Sequence, residues 1–392
     1  MVETADLVVV GGGIVGCSVV HQLARLVPRE TRIVLLDRGP IAGATSGSSM
    51  GHLMVTPDDP QSYALTAASV RLWRDLQARG GGFDFQDTGA LYLADTDEDA
   101  ALLPVLRDQF TAVGDRAEVL DGRALRSLEP GLAEDLDAAL FYPGDAVVLP
   151  MPACAVMLQE ARACCPGLDV RPGCAVVGVD RDGDRIAAVR TEHGAIATRT
   201  LVNATGVWAP ALAELCGAPR LPIFPRAGNL AVTAHWTTPV RTQLLEVSYL
   251  RFAHGAAAVD PTRTDDPGGH AVNVQPQSNG SCLIGSTRQF RGMDRTLNPQ
   301  LLRRSLQRAI RYAPGLAAAP IVRTWVGLRP YAIDKHPLIG PWPPVRGLWI
   351  AAGHEGLGIT LGPITGRLLA QQVVGVPCDV DPQPYLPARF CA

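Results

Sequence analysis

Three glycines, Gly11, Gly13 and Gly16, stand at G-x-G-x-x-G spacing directly after the apolar run Leu7–Val10. The first glycine of such a set allows a tight turn. The second lets the backbone approach a pyrophosphate, and the third lets a helix pack against a strand. Ile14 and Val15 open a stretch to Leu26 with apolar residues at helical spacing, stopped by Pro28. The N-terminus of that helix offers N–H groups and a partial positive charge to a diphosphate. A second strand, Arg32 to Leu36, ends at Asp37, whose carboxylate suits ribose hydroxyls. Strand, turn, helix, strand and acid together predict a dinucleotide site. Arg38 adjoins it; beside an acid it reads as a solvated side chain rather than as an anchor for a 2′-phosphate.

Other stretches carry further chemistry. Gly39 to Gly51 is a Gly/Ser-rich loop whose backbone is suited to run close to a ligand. Within it and just after it, Ser46, Ser48, Ser49, Gly51 and His52 combine small residues with one imidazole. Arg329 ends the apolar run Thr324–Leu328, before a proline, and arginine holds a planar carboxylate with two parallel hydrogen bonds. A packed or surface arginine is the competing reading. Gly353 to Thr360 (GHEGLGIT) leads into the last helix, so a second helix N-terminus sits among glycines. His52 reads equally as polar filler, and Tyr249 as an interior strand tyrosine.

The elements that must position these residues follow from the pattern. The strand Leu201–Ala204 runs into Thr205-Gly206, and Trp349–Ala352 runs into the second glycine stretch. Residues 221 to 290 are mostly strands, among them 244–252, with turns at Asp182-Gly183-Asp184 and Asn279-Gly280. Helices are expected at 62–77, 99–128 with a break near Gly114, 152–165 and 299–312. The basic helix near Arg303–Arg311 reads as a solvated face or a docking face. The expected fold is α/β: a Rossmann-like dinucleotide-binding domain with an inserted antiparallel-sheet domain. Residues 1–87, 146–220 and 321–392 form the first, and 88–145 and 221–320 the second.

Composition narrows the class. The net charge is −3, and Lys335 is the only lysine, which argues against nucleic-acid binding. No run of 18 apolar residues is present, so no transmembrane helix is expected. The acidic start reads as no signal peptide, and the cytoplasm is the expected compartment. Nine cysteines without a C-x-x-C pair predict neither a disulfide framework nor a metal site in this chain. Serine-triad, H-E-x-x-H and paired-carboxylate patterns are missing, which disfavours hydrolases and metalloenzymes.

Six blocks, in order along the chain, resemble the FAD-dependent D-amino-acid oxidase superfamily of glycine oxidase, sarcosine oxidase and related amine dehydrogenases. They are VVVGGGIVGCS (8–18), TGALYLA (88–94), NATGVWA (203–209), GLRP (327–330), DKHPLIGP (334–341) and AAGHEGLGITLGPITGRLLA (351–370). Two more, LPIFPRAGN (221–229) and NVQPQSNGSCLIGSTRQFRGMD (273–294), are similar to the β subunits of D-hydroxyproline, proline and opine dehydrogenases and to a hydrogen cyanide synthase subunit. The resemblance implies non-covalent FAD in a glutathione-reductase-type domain and oxidation of a C–N bond by hydride transfer to flavin N5. It also implies α/γ-type partner subunits carrying a second flavin, as FMN at a subunit interface, and an iron–sulfur cluster.

By the same resemblance, Arg329 clamps the substrate carboxylate, and Tyr249 and His52 line the pocket. Thr45, Val176, Ala204, Thr205, Gly206, Trp208 and Gly327 join the FAD site. So do Gly353, Glu355, Gly356, Leu357, Gly358, Ile359 and Thr360 at the pyrimidine end, where a helix N-terminus stabilises negative charge. Sarcosine oxidases carry an oxygen-activating lysine before an Ile-Gly pair; here Leu283 precedes Ile284-Gly285. That departure suggests poor use of oxygen. The two alternatives are a free-standing oxidase of glycine, sarcosine or a D-amino acid, and a non-catalytic flavin-holding subunit.

Overall fold

The structure is a computed structural model that describes residues 3–57, 59–235, 240–247, 260–262, 266 and 268–391. A six-stranded sheet has the order Leu168–Arg171, Ile33–Leu36, Leu7–Val10, Leu201–Asn203, Leu348–Ala352, Leu338–Pro341. All neighbours are parallel except the last pair. Leu7–Val10 and Ile33–Leu36 are apolar throughout because both sheet faces are covered. Leu7, Val9, Ile33 and Leu35 pack on one side with the helices Ile14–Leu26, Pro150–Cys164 and Gly358–Val374. Val8, Val10, Val34 and Leu36 pack on the other with Ile186, Val189, Ile196 and Leu212. The first and last of those helices touch closely: a Cβ on Gly366 would sit 2.3 Å from the Ser18 carbonyl oxygen.

The second large sheet has eight strands. Its order is Ile321–Ala332, Ile223–Thr233, Cys282–Phe290, Gly269–Pro276, Gln243–Glu246, Ala90–Leu93, Ala138–Tyr142, Glu118–Asp121. The helix Pro299–Tyr312 lies over it and shares a core with Leu91, Leu244, Val274 and Ile284.

The structure adds detail to five expectations. Ile321–Ala332, expected in the cofactor unit, pairs along its length with Ile223–Thr233 at the edge of the eight-stranded sheet. That sheet is not purely antiparallel: Gln243–Glu246 and Ala90–Leu93 run parallel, because they come from separate segments rather than a hairpin. The expected 99–128 helix is three helices (Asp97–Ala100, Leu102–Ala112, Gly122–Leu128) with the strand Glu118–Asp121 after Gly114. Strand 244–252 spans Gln243–Glu246, and residues 248–252 lie outside the described residues. On the basic helix, Arg308 pairs with Asp95 and Glu246, and Arg311 with Asp95 and Asp135, so part of its charge is used internally.

All nine cysteines are free thiols. Among the described residues no helix is long and apolar enough to cross a membrane, and no group of three His, Cys, Asp or Glu is placed to hold a metal.

Candidate active site

A cavity of about 680 Å³ is walled by residues of both large sheets. At one end lies the glycine turn. Gly11 has φ +107°, and a Cβ there would meet the Ala204 carbonyl oxygen at 2.4 Å. A Cβ on Gly16 would lie 1.7 Å from the Gly11 oxygen, so this glycine seats the helix on the strand. At Gly13 an added Cβ would meet only the Ser46 hydroxyl, at 3.0 Å. That hydroxyl is already placed: it accepts from the Ile14 N–H at 2.9 Å and so caps the helix from the Gly/Ser loop. Asp37 accepts from the Gly12 and Gly39 N–H groups, one on each carboxylate oxygen, at 2.7 Å. Each oxygen keeps a second lone pair for a sugar hydroxyl. Arg38 stacks on Trp208 at 4.0 Å, both lining the cavity, so Arg38 is held in a cation–π contact rather than simply solvated. The tight turn at Gly11, the backbone openness at Gly13, the helix N-terminus and the Asp37 carboxylate fit the diphosphate and ribose of FAD.

The Gly/Ser loop is pinned directly to the strand Ile321–Ala332. Thr45 Oγ1 donates to the Leu328 carbonyl at 2.8 Å, and Trp325 Nε1 donates to the Ser48 carbonyl at 3.1 Å. Gly327 admits that loop, since a Cβ would sit 3.2 Å from Ser48. His52 Nε2 lies 2.8 Å from Oδ2 of the fully buried Asp145, whose Oδ1 accepts from the Val55 N–H. His52 lines the cavity with an anchored ring, so it is neither loose filler nor free to move.

Arg329 is held on two sides. Its two terminal nitrogens donate to the Thr287 carbonyl at 3.0 Å and the Ser286 hydroxyl at 2.6 Å. Gly228 makes the space: a Cβ there would be 2.4 Å from one of those nitrogens. Asn229 in turn fixes Thr287 through its Oγ1.

Two further arginines join this wall. Arg226 pairs in register with Arg329 across the strands. Arg288 lies two residues beyond Ser286, on the same face. Both line the cavity, are buried, and face one carboxylate oxygen of Glu355, at 3.5 and 3.6 Å. Burial alone would raise the Glu355 pKa. The charges of Arg288, Arg329 and Arg226 outweigh that and hold it at about 2. Glu355 has φ +47°, a strained conformation that aims its side chain at the arginines. His354, next to it, is buried against Thr365 at 2.9 Å, and burial pushes its pKa down to about 3.

Twenty-four expected positions line the cavity; Gly16, Gly353 and Thr360 do not. Gly16 and Gly353 serve packing, the latter against Ala332 and Leu338. The Thr360 hydroxyl is spent on the His52 carbonyl and the Met54 N–H. Tyr249 lies outside the described residues. The sequence reading missed Arg226, Gly228, Ser286 and Arg288. Their period-2 spacing, 226/228 and 286/288, was the signal available.

Residues 6–372 match the DAO family, described as FAD dependent oxidoreductase. The chain is 29% identical to hydrogen cyanide synthase subunit HcnC of Pseudomonas aeruginosa, over all of this chain and 97% of that one. It is 28% identical to glycine oxidase of Pseudomonas putida, over 97% and 98% of the two chains. The crystal structure of L-proline dehydrogenase from P. horikoshii superposes with a TM-score of 0.86 at 23% identity, covering 100% and 98%. A match over almost the whole chain, on a fold whose glycine turn and acid suit a dinucleotide, places this protein in the DAO family of FAD-dependent oxidoreductases.

Proposed function

We propose that this chain is a dehydrogenase for the C–N bond of an amino-acid-like amine, of D-hydroxyproline, proline or opine type. Its electrons pass to partner subunits carrying a second flavin and an iron–sulfur cluster. The observation that carries the reading is Arg329: a guanidinium held by Ser286 and Thr287, in space left by Gly228, lining the same cavity as the glycine turn. HcnC bears the name of a synthase subunit, which supports a multi-subunit setting; FMN at a subunit interface is part of this proposal. The catalytic chain works in the cytoplasm. Residues 1–87, 146–220 and 321–392 hold FAD, and 88–145 and 221–320 hold the substrate.

In this reading FAD is bound non-covalently by the glycine turn, Ser46, Asp37 and the Gly358 helix end, and supplies an acceptor for a hydride at N5. Arg329 binds the substrate carboxylate through a planar fork and fixes the orientation of the reacting carbon. Met50 and Leu230 line the neighbouring wall and keep water from it. The helix beginning at Gly358, which lines the cavity, would stabilise negative charge on the flavin ring with its N-terminus. A neutral amine with an oriented C–H needs no protein base, and none is assigned.

One observation favours a second reading, a free-standing oxidase. The buried cations Arg226 and Arg288 provide positive charge of the kind that stabilises superoxide, although no lysine precedes Ile284. A single experiment separates the two. The purified FAD-loaded chain is mixed anaerobically with D-proline, hydroxyprolines, opines, sarcosine or glycine, and then exposed to air. Bleaching by a cyclic or N-substituted amino acid with slow reoxidation supports the dehydrogenase. Fast reoxidation with peroxide release supports the oxidase. No bleaching by any amine overturns both.

A further inference from the structure

We propose that Arg226 and Arg288 form a second carboxylate subsite, so that the amine taken by this protein carries two carboxylates. The inference rests on the amine reading above and goes beyond it by naming the substrate class.

One carboxylate needs one planar fork, and Arg329 supplies it. The wall nevertheless holds three guanidiniums on one sheet face. Arg226 and Arg329 are register partners, and in such a pair the Cα atoms are about 4.5–5.5 Å apart. Two carboxylates on one small secondary amine match that spacing. Gly228 and Ser286, which seat the Arg329 guanidinium, line the same cavity as Arg226 and Arg288, so the two subsites share one wall.

Arg226 is built to receive an anion. It is 8% exposed, and its Nε is buried with no hydrogen-bond partner. A guanidinium offers five N–H donors, and the hydrogen bond to Glu355 is long, at 3.5 Å. Phe290 and Tyr331 flank its faces at 5.1 and 5.4 Å, which leaves the planar edge for a ligand. Burial of a charge without close pairing is costly, and a carboxylate arriving with the substrate offsets that cost. Asp266 also acts on Arg226, but its oxygens accept from the Gly268 and Phe290 N–H groups. Arg288 is 3% exposed, lines the same wall and shares Glu355 Oε1. Glu355 then acts as the brace that orients both guanidiniums.

The test uses the FAD-loaded chain and two readouts. Calorimetric titration compares succinate with butyrate, and glutarate with valerate; each pair differs by one carboxylate. The expected result is at least tenfold tighter binding of the diacid, falling below threefold in Arg226→Gln and partly restored in Arg226→Lys. Equal binding of diacid and monoacid by the wild-type chain overturns the proposal, as does an Arg226→Gln variant that keeps the full preference. The wild-type ratio decides alone if the variants do not fold. Anaerobic flavin reduction compares iminodiacetate with sarcosine, with at least tenfold higher kcat/KM expected for the former. Preference for succinate without reduction by any amine keeps the subsite and overturns the amine reading. Reduction by sarcosine or proline without succinate preference does the reverse.

Discussion

Arg329 reaches the cavity because Gly228 has no side chain. Arg329→Met removes a charge-assisted fork worth about 1.5–3 kcal/mol per hydrogen bond. The rate constant kcat/KM for anaerobic flavin reduction should therefore fall about 10²–10⁴-fold, with Arg329→Lys recovering only part, since lysine keeps charge but not the fork. Gly228→Ala tests the positioning. It should raise KM about tenfold or more, by displacing the guanidinium, while FAD content stays at the wild-type level; a wild-type KM would sink the steric argument. His354 gives a pH prediction. Its folded pKa, about 3, lies below the ordinary 6.5, so between those values the unfolded chain binds the extra proton. Stability present above pH 6.5 is then lost as pH falls, at up to about 1.4 kcal/mol per pH unit. His21 is lowered by burial too and acts in the same direction. His354→Gln should flatten, not abolish, the slope of urea midpoint against pH between 6.5 and 5. An unchanged slope would assign the effect elsewhere.

At the scale of elements, the strand–turn–helix unit separates folding from binding within one motif. Gly16 has no room for a methyl group beside the Gly11 carbonyl, whereas a methyl at Gly13 meets only a serine hydroxyl. Gly16→Ala should push the helix Ile14–Leu26 off its strand, costing about 3 kcal/mol or more, and yield little folded protein. Gly13→Ala should fold with a near-native melting temperature but lose flavin, read as the ratio of flavin to protein absorbance. Similar flavin content in Gly13→Ala and wild type would mean the diphosphate does not approach there. These roles were legible in the sequence because turn geometry is local: three glycines and an acid state their own contacts. The arginine wall was not. Arg226 meets Arg329 through a register between strands about a hundred residues apart, and His52 finds Asp145 across 93 positions. Strand periodicity tells which residues share a face, but not which strand comes alongside.

At the scale of the whole molecule, the strand that begins at residue 321 joins the two halves. The GLRP block lies within Ile321–Ala332 and its residues line the cavity, whereas the strand's hydrogen bonds go to the eight-stranded sheet. The strand therefore belongs to one sheet by pairing and to the other by what it faces. The cavity has no complete wall in either half: Gly11, Ala204 and Asp37 come from one, Arg226, Gly327 and Arg329 from the other. A ligand that fills it must couple the two. Binding that requires the folded state stabilises it by about 2.7 kcal/mol when FAD is at a hundred times its Kd. FAD removal should accordingly lower one cooperative melting transition rather than split it in two. Amide exchange should slow on FAD addition both in Leu7–Val10 and in the strand Ile321–Ala332. Protection confined to the parallel sheet would show that FAD is held by that half alone, and the strand Ile321–Ala332 would then serve the substrate only.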